Sequence, residues 1–260
     1  MNTGVIFNIR YLLFNLLGLI AFCIRKVLFS LHHKLNKYNL IINKIAVCGR
    51  GITANIFFKE EYKMHNKVYL ANYSKKDLNF IDYFKLLNKD TVIVANVSEE
   101  IPNILLFFFI KLTEVILSRP NYLAKRSKKD FSRKSFRLNL LGVRVRGLSN
   151  STDINKYPCT LDNTGILSIY EAALFASKNN IKEIYLYGFE FYSNPYNKNS
   201  LLKNDFISTA QYEEHQADNY RLSNNLDYLA SLYPNILFIN KSFNHYKFNS
   251  KNIMSRSYPQ

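Results

Sequence analysis

The chain is short of cysteine and of acid. Cys23, Cys48 and Cys159 stand singly, with neither the pairing of a disulfide framework nor the close spacing of metal ligands, a usage that fits a reducing compartment. Aspartate and glutamate number 19 against 35 lysines and arginines, and the formal charge of +16 favours anionic partners: phosphate-bearing small molecules, acidic lipid or nucleic acid. No internal repeat is present, which sets aside a repeat architecture. Apolar residues are not lacking. At 48% of 260 residues they suffice for one domain with a sizeable core and an appendage, and they exclude disorder throughout.

A long hydrophobic run is also missing, though only just. YLLFNLLGLIAFCI, between Arg10 and Arg25, has fourteen residues without a charge, flanked by apolar Val5 to Phe7 and Val27 to Leu31. A transmembrane helix usually needs about 20, so Arg10 or Arg25 would have to snorkel to an interface. The sequence predicts that 1–43 form a hydrophobic helix, spanning or lying in a membrane, and a basic linker. Arg25, Lys26, Lys34, Lys37 and Lys44 trail it, which puts the main domain on the cytoplasmic side. No small-residue cleavage site marks it as a removable signal. The competing reading is an extra core helix.

From Lys44 the pattern becomes that of an α/β domain with a predominantly parallel sheet, expected over 44–243 with 244–260 as a C-terminal tail. KIAVCGRG is a short apolar strand ending at Gly49, Arg50 and Gly51, where backbone without Cβ atoms can approach a phosphate. It lacks the third glycine of the dinucleotide fingerprint. KVYLANYS and DTVIVANVSEE are strands that end at Asn72 and Asn96. If the strands are parallel, Arg50, Asn72 and Asn96 share one edge of the sheet, where ligands of open α/β sheets bind. IPNILLFFFIKLTEVIL, Ile101 to Leu117, reads as a core helix, with a second membrane-facing surface as the alternative. The basic interval Ala124 to Arg137 reads as a solvated loop or lipid-facing surface; no nucleic-acid recognition motif accompanies it.

Asn163, Thr164 and Gly165 open a helix whose Ile166, Ile169, Tyr170 and Ala173 face the sheet, and its N-terminal amides favour an anion at the same edge. The helix feeds IKEIYLYGFEFYSNPY, a buried strand ended by Gly188, so Glu190, Tyr192 and Tyr196 face a site. The polar stretch that follows, about 192–214, reads as a lid, and His215 closes it. A helix-like run through Leu222, Leu226 and Leu229 then leads into a last strand, NILFIN.

The order CGRG, strand-end Asn72, strand-end Asn96, NTG, KEIYLYGFEFY and a lid ending at His215 resembles the bacterial sialyltransferases of glycosyltransferase family 42 over roughly Lys44 to Ser242. The resemblance implies a single Rossmann-like, GT-A-like nucleotide-binding domain with a flexible lid. It implies inverting transfer of sialic acid from a CMP-activated donor to a glycan or glycolipid, without a metal or other cofactor. By position, Asn72 and Asn96 match donor-binding asparagines, Thr164 a hydroxyl that contacts the sialic acid carboxylate, Tyr192 and Tyr196 phosphate-binding tyrosines, and His215 the general base. Arg50 stands where an Asn is typical, and Leu161 about where an acceptor-binding Arg is expected. The chemistry suits these residues: an imidazole that titrates near neutrality can take the acceptor proton, and two phenols can stabilise a departing phosphate. The chain has no Asp-X-Asp to hold a divalent ion. The alternative is an inactive membrane-associated sugar-nucleotide or glycan-binding protein; nucleic acid is not an expected partner, and a homo-oligomer is left open.

Overall fold

The structure, a computed structural model, describes residues 44–51, 53–73, 77–86, 89–96, 112–119, 138, 143–149, 164–189, 223–241 and 247–256, together with Ile20, Cys23 and Val27. These three are helical and exposed; the rest of the segment 1–43 lies outside the described residues. Among the described residues no helix is long and apolar enough to cross a membrane.

Eight strands form one sheet, and every strand pair in it is parallel: β1 (Lys44–Cys48), β2 (Lys67–Ala71), β3 (Asp90–Asn96), β4 (Leu112–Arg119), β5 (Arg144–Ser149), β6 (Glu183–Tyr187), β7 (Leu237–Lys241) and β8 (Ile253–Ser255). Their order, β5-β4-β3-β2-β1-β6-β7-β8, is that of a Rossmann-like α/β fold. The chain builds outward from β1 on one side as far as β5, then returns to the other side of β1 for β6, β7 and β8.

The strands are apolar on both faces because both faces are covered. Ile45 and Val47, Tyr69 and Ala71, Val92 and Val94, Ile184 and Leu186 join one core. Ala46 and Cys48, Val68 and Leu70, Ile93 and Ala95, Tyr185 and Tyr187 join the other. The first core is roofed by helix α3 (Thr164–Lys178), which lies across β1, β2, β3 and β6, and by helix α4 (residues 223–232) through Leu226, Leu229 and Ala230. The second is roofed by a helical turn α1 (Ala54–Ile56), which widens to a π turn over Phe57–Glu61 and tightens to a 3-10 turn over Tyr62–Met64, and by helix α2 (Phe80–Leu86). Ile166, Ile169 and Ala173 of α3 are buried as expected. Arg146 of edge strand β5 ties that edge to α3 with two bonds to the Glu171 carboxylate, 2.9 and 2.6 Å, and a third of 3.1 Å to Glu114 of β4.

Two expectations are corrected. The C-terminal part of Ile101 to Leu117 is not helical: Leu112–Arg119 is β4, and Val115, Ile116 and Leu117 are buried on alternating faces. A short apolar run has no periodicity to separate a strand buried on both sides from a buried helix, and residues 101–111 lie outside the described residues. The segment 244–260 is not simply a tail, because Ile253–Ser255 pairs with β7. Asp227 of α4 accepts the Asn249 and Ser250 amides at 2.9 Å each. Asn252 Nδ2 donates to three carbonyls at the end of that helix and beyond, Ala230 (2.9 Å), Tyr233 (3.1 Å) and Ile236 (2.9 Å). The Ala230 and Tyr233 carbonyls also accept from the Tyr233 and Ile236 amides, so Asn252 adds a second bond to each and ties this loop to the end of α4. Asn252→Ala should lower unfolding stability by about 1–3 kcal/mol in urea titration; an unchanged midpoint would show that solvent replaces the amide without cost.

Candidate functional site at the carboxyl edge of the sheet

The reversal of strand order falls between β1 and β6, and there two turns interlock. The Gly49 amide donates to the Tyr187 carbonyl (2.7 Å) and the Gly51 amide to the Gly188 carbonyl (3.1 Å). The Gly188 amide donates to Thr53 Oγ1 (2.7 Å), and the Tyr73 hydroxyl to the Gly49 carbonyl (2.8 Å). Burial holds the Tyr73 phenol well above its usual pKa, so it remains a donor. A Cβ on Gly49 would meet the Gly188 carbonyl oxygen at 2.6 Å; one on Gly188 would meet the Gly49 oxygen at 2.7 Å, and Gly188 also has φ +69°. Sequence reading offered Gly49 and Gly51 as a phosphate cradle. The amides of Gly49, Gly51 and Gly188 are instead spent on acceptors inside the protein, so these glycines form the floor of the crevice rather than its anion contacts.

Along this edge the structure places Arg50, Asn72, Asn96, Thr164 and Gly165. Arg50 follows β1, exposed, with Nε 3.4 Å from Asp77 Oδ1. Asn72 follows β2 at φ +57°, a left-handed conformation that asparagine tolerates, and its amide donates to the Val94 carbonyl at 2.8 Å. Asn96 ends β3, in register with Ser118 of β4. The fifteen residues of α3 extend about 22 Å at 1.5 Å per residue, longer than the five-residue strand it leads into, which covers about 17 Å. Because α3 ends beside the start of β6, its first residues, buried Thr164 and Gly165, lie at the carboxyl edge. Asn163, Glu190, Tyr192, Tyr196, His215, the lid segment 192–214 and Leu161 lie outside the described residues. Among the described residues no three His, Cys, Asp or Glu side chains converge to hold a metal ion.

Sequence reasoning missed a buried polar network directly behind this floor. Tyr187, the residue before Gly188, donates its hydroxyl to Glu61 Oε2 at 2.5 Å, and Lys241 of β7 donates to Glu61 Oε1 at 2.9 Å. His65 Nε2 lies 2.8 Å from the same Tyr187 hydroxyl. That hydroxyl has already given its one proton to Glu61, so Nε2 carries the proton and Nδ1 keeps a lone pair, buried and without a hydrogen-bond partner. Lys89 Nζ donates to the His65 carbonyl at 2.6 Å. Tyr185, on the same face, stacks edge-on against His65, donates to Glu183 (2.9 Å) and accepts from Lys44 (3.2 Å). The available signal was the pair of tyrosines two residues apart in a buried strand, since buried phenols need partners.

Burial, then the charges of Lys89, Lys44 and Lys241, drive the His65 imidazole down to about 3; burial lowers Lys89 to about 8. His65 is therefore neutral in the fold, whereas in the unfolded chain it takes up a proton near pH 6.5. Its contribution is intact above pH 6.5 and is lost as pH falls from there towards 3, by on the order of a few kcal/mol. His65→Gln, which preserves a donor but cannot titrate, should flatten that part of the stability profile in denaturant titrations. Parallel profiles for the two proteins would contradict the assignment.

Compared with family models, with curated proteins and with solved structures, the chain matches none.

Proposed function

We propose that the chain is a glycosyltransferase that moves sialic acid, or a related nonulosonic acid, from a CMP-activated donor to a glycan or glycolipid acceptor at the cytoplasmic face of a membrane. The observation that carries the reading is the crevice at the strand-order reversal. Arg50, Asn72, Asn96 and the first turn of α3 stand on one carboxyl edge of an all-parallel sheet, where such sheets bind nucleotides. The family resemblance adds the reaction, and it rests on the motifs alone, above all KEIYLYGFEFY.

In this scheme the fold is GT-A-like. Asn72 and Asn96 present amides to base and ribose, and Thr164 and the start of α3 meet the donor's carboxylate. Arg50 supplies positive charge for the phosphate in place of the glycine amides engaged in the floor. Tyr192 and Tyr196 stabilise the departing phosphate, and His215 removes the acceptor proton as the hydroxyl attacks. The N-terminal apolar run and its basic flank hold the domain at the membrane.

A donor screen tests the reaction. CMP should be released from CMP-sialic acid, with no release of UDP or GDP from uridine or guanosine diphosphate sugars, and with no need for a divalent ion. His215→Ala should keep CMP affinity and lower transfer by roughly 10²- to 10⁴-fold. Binding of CMP without turnover of any donor would leave a sugar-nucleotide-binding protein, and unchanged transfer in His215→Ala would remove the base.

A further inference from the structure

The layer on the second core face carries an outer surface that the carboxyl-edge site does not use. Asn79 and Asp82 form a reciprocal cap on α2: the Asp82 amide donates to Asn79 Oδ1 at 3.0 Å and the Asn79 amide to Asp82 Oδ2 at 3.2 Å. With the helix start fixed in this way, Tyr83 and Leu86 are buried against the sheet. Ile81 and Phe84, three residues apart, face outward at 63% and 49% exposure, and Met64 of the adjoining 3-10 turn is 46% exposed. Ile81 and Met64 thus present apolar surface to solvent on the outward side of the capped helix and of the turn beside it.

Cations surround the same spot. The ammonium groups of Lys63 and Lys85 stand 5.9 and 6.0 Å from the centroid of the Tyr62 ring, whose inner side faces the buried Lys89 at 5.6 Å. Lys59 and Lys63 are exposed. Against these stand Glu60, Asp82, which lies 3.5 Å from Lys85 Nζ, and Glu61, whose carboxylate is already bonded to Lys241 and Tyr187. An apolar patch with a lysine rim, on a chain of formal charge +16, complements a surface that is apolar below and anionic above.

We propose that α2 and the adjoining 3-10 turn dock this domain onto an anionic lipid bilayer, with Ile81, Phe84 and Met64 entering the headgroup region and Lys59, Lys63 and Lys85 holding lipid phosphates. The docking is separate from any anchoring by the N-terminal apolar segment and does not depend on what the carboxyl edge binds. It sets the sheet with one face towards the membrane, so that the carboxyl edge opens alongside the bilayer.

The chain contains no tryptophan, so Ile81→Trp in the full-length protein gives a single indole at the patch. With phosphatidylglycerol-containing vesicles its emission should shift to shorter wavelength and be quenched by lipids brominated in the acyl chain; Phe84→Trp should behave alike. Adding Lys63→Gln and Lys85→Gln to Ile81→Trp should weaken the quenching several-fold. Emission that stays at its lipid-free position while the protein sediments with the vesicles overturns the proposal. So does an indole shielded from aqueous iodide before lipid is added, which would mean that this chain or a second copy covers the patch.

Discussion

The backbone contact between Gly49 and Gly188 is the constraint on which the rest of this structure depends. Two parallel strands can be neighbours at the centre of the sheet, one from the start of the domain and one from near its end, only if the turns that leave them do not collide. Here they pass so closely that each occupies the place of the other's missing Cβ. The contact is closed by hydrogen bonds from Gly49 to Tyr187 and from Gly51 to Gly188. The peptide groups of the two turns are satisfied within the protein, and Arg50 and Asn72 stand beside them at the strand ends.

Behind the floor the protein tolerates a costly arrangement. A half-buried carboxylate, a buried ammonium, two phenols and a neutral imidazole share one layer, and each group must find a partner for the cost of leaving water to be offset. Glu61 accepts from Tyr187 and Lys241, and through Tyr187 it sets which nitrogen of His65 carries the proton. The network joins the π turn through Glu61, the residues that lead into β2 and β3, and the ends of β6 and β7. It therefore fixes Tyr187, and with it the turn at Gly188, from below, while Thr53 and Tyr73 fix the interlocked turns from above.

The two faces of the sheet differ in kind. α3 and α4 make one roof, tied to the strands by Arg146 at one edge and by the Asp227 and Asn252 contacts at the other. Among the described residues the opposite face is covered by short turns, the seven-residue α2 and Leu138, and it bears exposed apolar side chains and the lysines around Tyr62.

Much of the architecture was legible in the chain itself. Short β-branched runs ending in Gly or Asn marked β1, β2, β3 and β6, and the NTG helix start was readable because a cap, a helical period and a following strand agree locally. The carboxyl-edge placement of Arg50, Asn72, Asn96, Thr164 and Gly188 followed once the strands were taken as parallel. The part of β4 in an apolar stretch, β5 with its alternating arginines, and β8 in an apparent tail were not legible, since pairing with a distant neighbour, not local pattern, makes them strands. The role of Gly49 was also undecidable in one dimension: a glycine that admits a phosphate and a glycine that admits another backbone are written with the same letter. Which of the two it is depends on Gly188, more than a hundred residues away, because a steric contact exists only when both partners are in place.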